Sequence, residues 1–92
     1  MAQMFVATVY GPDGQVAVRQ QNKQPLVFER PTVHRAWLSA RNFDYPPGVK
    51  IVVTNQPKPI AGTSLMPPLR EELVAEWDGK VWTDKATGQP IP

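Results

Sequence analysis

The chain contains no cysteine, one histidine, and no apolar run long enough to cross a bilayer. Without cysteine there are no disulfide staples and no thiolate metal sites. With His34 as the single imidazole, a hydrolytic triad would have to recruit Ser39 or Ser64 and a distant acid. Ser39 lies five residues on, well around a helix from His34, and is a poor partner. The six glycines are scattered, and none forms a phosphate-cradling GxGxxG or GxxxxGK[ST] loop. Glu72 and Glu76 would share a face if helical, but an exposed carboxylate pair is ordinarily solvated. We therefore expect no enzyme, no cofactor and no metal. The opening MAQMFVATVYGPDG has no basic start, so we expect no signal peptide, a cytoplasmic location and no membrane partner.

Excess of one charge is also missing. The net charge is +2 over 92 residues, too small to declare a nucleic-acid partner. Its distribution is uneven: residues 1–60 carry seven Lys/Arg against three acids, and residues 61–92 carry three against five.

What the chain has in abundance is proline, eleven residues of it. Each locks φ and lacks a donor, so these residues divide the chain into short elements and exclude long helices and central strands across them. The 41% apolar content, with three Trp, three Phe and two Tyr, suits a folded domain rather than a disordered one.

Residues 4–10 and 15–20 read as a hairpin around Gly11-Pro12-Asp13-Gly14, a sequence with turn residues in turn positions. The first limb is apolar on both faces, as expected inside a sheet. Residues 26–28 suit a short strand. Residues 32–42 read as a helix capped by Thr32, with Val33, Ala36, Trp37, Ala40 and Phe43 at helical spacing. Tyr45-Pro46-Pro47-Gly48 ends it, and residues 49–54 form a β-branched strand. Residues 55–68 read as a long, proline-braced loop. In residues 68–76, Leu69, Leu73 and Trp77 at i, i+4, i+8 behind Glu71-Glu72 favour a second short helix, followed by a turn at Asp78-Gly79 and a strand through Thr83. The expected fold is α+β: a single domain over residues 1–84, with an antiparallel or mixed sheet of three to five short strands, one main helix on one face, and an extended or flexible tail over 85–92.

The order of elements over residues 4–54 is similar to the opening of a β-grasp domain, with MFVATVYGPDGQVAVRQ as its hairpin. Trp77-Asp78-Gly79-Lys80-Val81-Trp82 resembles one unit of an aromatic cell-wall-binding repeat; such repeats act as arrays, and this chain has one copy.

By elimination, we expect a small non-enzymatic module that binds a partner protein as an accessory factor or inhibitor, the kind of small protein that phages and other mobile elements carry. The candidate contact residues are Arg30, His34, Arg35 and Arg41 along the helix, Lys58 in the proline-rich loop, and Trp77 and Trp82 beside the Asp78-Gly79 turn. A second reading is nucleic-acid binding through Arg19, Arg30, Arg35, Arg41 and Lys50. A third is a structural subunit, a homo-oligomer built by pairing of sheet edges.

Overall fold

A computed structural model describes residues 4–19, 21–56, 62–66 and 68–91. The elements in chain order are β1 (Phe5–Tyr10), β2 (Val27–Arg30), α1 (Val33–Arg41), β3 (Lys50–Asn55), β4 (Glu71–Trp77), β5 (Trp82–Asp84) and β6 (Pro90–Ile91). The six strands form one sheet in the order β2-β1-β3-β4-β5-β6. Every neighbouring pair is antiparallel. The class is α+β as expected, with one strand more than the expected range.

The extra strands come from two segments. Residues 68–76 do not form a helix; Glu71–Trp77 is strand β4. The spacing that suggested a helix is ambiguous, because four and eight are also even steps along a strand. Within β4, Leu73, Ala75 and Trp77 alternate towards the core, and β-branched Val74 points the other way. At the end of the chain, Pro90–Ile91 pairs with Trp82 and Thr83 as β6.

The first turn forms as its residues dictate: the Gly14 N–H donates to the Gly11 carbonyl at 2.9 Å, and the Gly11 N–H to the Gln15 carbonyl at 2.8 Å. The returning limb is looser than expected. Residues 15–19 make only isolated bridges, Tyr10 with Val16 and Val18 with Pro25. β1 instead lies between β2 and β3, with Phe5, Ala7 and Val9 turned to the core and Val6 and Thr8 on the other face of the sheet. The hairpin therefore runs only a short way past the turn, through the Tyr10–Val16 bridge and the Ala17 N–H donating to the Val9 carbonyl at 2.9 Å.

Helix α1 starts at Thr32, whose extended backbone (φ −135°, ψ 156°) lets its Oγ1 accept from the Arg35 N–H at 3.0 Å. Ala36, Trp37 and Ala40 face the sheet and are buried. They meet Ala7 and Val9 of β1, Phe28 of β2, Ile51 and Val53 of β3, and Ala75 of β4 in one core cluster. After the helix the chain turns back through Gly48. Its positive φ of +97° and its contact with Pro12, where a Cβ would stand 3.1 Å from the proline Cβ, both require glycine. Its N–H donates to the Trp77 carbonyl at 2.8 Å, locking this turn to the end of β4.

An aromatic path crosses the helix side of the sheet. Phe28, Phe43, Tyr45 and Trp82 follow one another with ring centroids 5.8, 6.2 and 5.9 Å apart. Trp82 also meets Trp37 edge-on at 5.2 Å and Trp77 at 5.1 Å. The Tyr45 hydroxyl donates to the Ala40 carbonyl near the end of α1. Burial pushes the Tyr45 pKa up to about 12, against a smaller downward pull from Arg19. The folded chain thus holds this proton more tightly than the unfolded chain, whose tyrosine titrates near 10.0. The contribution is intact below pH 10 and is lost as the pH rises towards 12. Urea unfolding across that window should show wild type losing stability more steeply than Tyr45→Phe, although the variant starts about 1 kcal/mol lower for want of its hydrogen bond. A parallel fall in both proteins would assign the alkaline loss to other groups.

Candidate partner-binding surface

Among the described residues, the most exposed large hydrophobic side chains lie in the connection from β3 to β4. Leu65, Met66 and Leu69 are 64%, 54% and 66% exposed, the highest values among the described large hydrophobic residues. Local turns shape the segment: Gly62 takes φ +79°, and the Leu65 N–H donates to the Thr63 Oγ1 at 3.2 Å. The segment is pinned where it rejoins the sheet. Asn55, the last residue of β3, is 6% exposed, yet it is polar. Its Oδ1 accepts from the Arg70 N–H at 2.7 Å, its Nδ2 donates to the Pro68 carbonyl at 3.2 Å, and its own N–H donates to the Arg70 carbonyl at 3.2 Å. Three bonds from one residue hold the two ends of the loop together, so the apolar side chains are displayed from a fixed base.

The sequence-predicted contact residues separate into different environments. Trp82 is 4% exposed in the core and cannot reach a partner. Trp77 is half-buried, with its indole N–H donating to the Tyr45 carbonyl at 2.9 Å. Both tryptophans serve the aromatic path, because a small domain needs its largest rings inside. Arg30 belongs to β2 rather than to the helix; its Nε donates to the Ser39 Oγ at 3.0 Å and its guanidinium lies 5.8 Å from the Phe28 ring centre. Arg41 lies 5.1 Å from the Trp37 ring centre. His34 and Arg35 are exposed in the first turn of α1. Lys58 lies outside the described residues. The basic residues therefore do not form one continuous stripe along the helix.

The same holds for the wider basic set. Arg19 sits 5.8 and 5.9 Å from the Phe28 and Phe43 ring centres, on the helix side. Lys50 lies on the opposite side of the sheet, since its β3 neighbours Ile51 and Val53 point to the helix. Two exposed ion pairs, Arg70 with Glu72 at 3.7 Å and Lys85 with Glu76 at 3.3 Å, contribute little to stability.

Sequence reasoning singled out this loop for its prolines, placed Leu69 on a buried helix face, and missed Leu65, Met66 and Asn55. The available signal was that Leu65 and Met66 belong to no helical or alternating period, so no element was going to bury them. Among the described residues, no group of three His, Asp or Glu side chains is placed to hold a metal ion. Among the same residues, no helix is long and apolar enough to cross a membrane. No protein-family model, curated protein or solved structure matches the chain.

Proposed function

We propose that the protein is a non-enzymatic binding module that engages a partner protein, as an accessory factor or inhibitor, through the apolar loop that Asn55 closes. The observation that carries this reading is the exposure of Leu65, Met66 and Leu69 on one short, pinned segment. Three large apolar side chains, each more than half exposed within five residues of chain, supply the kind of surface that protein contacts use. Methionine is enriched at such contacts because its flexible thioether adapts to the surface it meets. Pinning the loop base lowers the ordering entropy that binding would otherwise cost.

The nucleic-acid reading has less support. Arg19, Arg30 and Arg41 each lie over an aromatic ring, and Lys50 and Arg35 sit on opposite sides of the sheet. A phosphate backbone needs several cations on one continuous surface. Edge pairing is disfavoured too. Pro25 and Pro31 bracket the four residues of β2, and the other edge strand, β6, is two residues that include Pro90.

The test is capture from lysate with wild type and with a Leu65→Asp, Met66→Asp variant. Neither side chain belongs to the core, so the variant should keep the wild-type circular dichroism and melting temperature. A protein captured by wild type should lose affinity by about 30-fold or more in the variant, the effect of removing a central apolar contact. Equal capture by both would overturn the assignment to this loop. Binding to DNA or RNA that weakens steeply with salt would overturn the protein-partner reading itself.

A further inference from the structure

The face of the sheet turned away from α1 has no covering layer among the described residues. Its central row is apolar or β-branched: Val27, Thr8, Val52 and Val74 lie opposite one another across β2, β1, β3 and β4. Val52 is only 8% exposed, yet it stands outside the core cluster. The row on one side of this stripe runs Tyr10, Lys50, Glu76 and Thr83, and the row on the other includes Thr54 and Glu71. Two shallow hollows of about 410 and 510 Å³ meet here, both lined by Lys50, Val52 and Glu71. Among the described residues Glu76 pairs with Lys85, and Lys50 has no carboxylate within ion-pair distance.

We propose that this open face is the contact of a symmetric homodimer. Its charges are complementary to themselves under a two-fold axis. Place the axis parallel to the strands, midway between β3 and β4. Rotation then lays β3 of one copy over β4 of the second, and each row meets itself in reverse order. Lys50 faces Glu76 of the second copy, and Glu76 faces its Lys50. Val52 meets Val74, and the Thr54 hydroxyl meets the Glu71 carboxylate. The two apolar positions nearest the axis close on each other, and opposite charges flank them. Aligned sheets pack with a rotation of about 30°, so the pairs next to the axis keep their register and the outer strands diverge.

An antiparallel sheet can leave one face in water, so a second layer is favoured here by the charge pairs and the valines rather than by the bare face. Growth sideways is opposed by the prolines at both edges, which leaves stacking as the open route. Four strands about 4.8 Å apart and three rows about 7 Å apart present roughly 400 Å² of flat surface per copy. That is a small interface, below the roughly 1,000 Å² total of a stable contact, so we expect a weak dimer with a dissociation constant in the micromolar range or weaker. The inference does not depend on the loop function. If both hold, the axis along the strands brings the two loops out at the same end of the dimer, where a partner with two grooves would bind both.

The experiment is sedimentation equilibrium on the full chain from about 1 to 500 µM, a range that brackets the expected constant. Wild type should show a reversible dimer. Lys50→Glu and Glu76→Lys should each weaken it by at least tenfold, since like charges then face each other. An equimolar mixture of the two variants should dimerise at least as tightly as wild type, because in the mixed pair both contacts are again opposite in sign. No effect of these substitutions within one chain reproduces that rescue. The Leu65→Asp, Met66→Asp variant should dimerise as wild type does. A wild-type monomer throughout the range overturns the proposal, and so does a mixture that stays monomeric. A dimer that the loop variant abolishes is held elsewhere and also overturns it.

Discussion

Trp82→Ala should lower the unfolding free energy by about 3–5 kcal/mol, the cost of deleting a large buried ring from a packed core. Trp82 is 4% exposed and touches the rings of Trp37, Trp77 and Tyr45, so alanine leaves three aromatic neighbours facing a void. The surroundings cannot collapse into it. Trp37 is held by the helix, Trp77 by its bond to the Tyr45 carbonyl, and Tyr45 by its bond to α1. A domain of this length has about 5–14 kcal/mol in total, so the variant should be partly unfolded at physiological temperature. Urea titration followed by circular dichroism measures the loss. Val81→Ala serves as the neighbouring control; at 45% exposure it should cost about 0.5 kcal/mol or less. A loss under about 1 kcal/mol for Trp82→Ala would mean that the aromatic path is not the centre of the core.

Asn55→Ala should cost about 2–3 kcal/mol and act on the loop more than on the sheet. The substitution leaves the Arg70 N–H and the Pro68 carbonyl without their side-chain partner, and unpaired polar groups cost about 1–3 kcal/mol each when buried. Both residues are largely exposed, so water recovers part of that loss. Hydrogen exchange locates the effect: the Arg70 amide should exchange much faster, and the Ile51 and Val53 amides in β3 should change only by the global loss of stability. Partner affinity should fall as well, because the apolar residues would leave a base that is no longer held. Asn55→Asp keeps the acceptor for Arg70 but turns a second oxygen towards the Pro68 carbonyl, and should fall between wild type and alanine. Unchanged exchange at Arg70 would refute the clamp.

Helix α1 was legible because its signals agree. Thr32 is a capping residue, Val33, Ala36, Trp37 and Ala40 share one period, and the Tyr45-Pro46-Pro47-Gly48 run stops the chain from continuing. The interior position of β1 fits its β-forming run from Phe5 to Tyr10, although only Phe5, Ala7 and Val9 reach the core and Val6 lies on the other face. Strand β4 was misread where two periods coincide: Leu69, Leu73 and Trp77 satisfy a helix and a strand equally, and partner strand β3 decides between them. Over the described residues 15–19 the returning limb is shorter as a strand than its alternation suggests, because Val16 still bridges Tyr10 of β1 but Val18 bridges Pro25 instead. The candidate surface was half legible. Its loop stands out by its prolines, and Trp77 and Trp82 have the composition of both a core and a contact. The role of Asn55 could not be read at all, because it depends on the register between residues 55 and 70, which local sequence does not specify.

The central place of β1 has a consequence for how the protein is made. This strand is synthesised before both of its neighbours, and its two flanks are completed at different times. β2 follows within about 20 residues, whereas β3 pairs Phe5 with Asn55 and emerges only after residue 50. At ordinary synthesis rates of about 5–20 residues per second, one side of β1 waits about 2–9 s after its own appearance for its second neighbour. During that interval Trp37 and Ala40 lack Ile51 and Val53 to lie against, so a half-made sheet with a loosely seated helix leaves the ribosome. Until β3 pairs with β1, the side of the core that Ile51 and Val53 fill stays open to solvent.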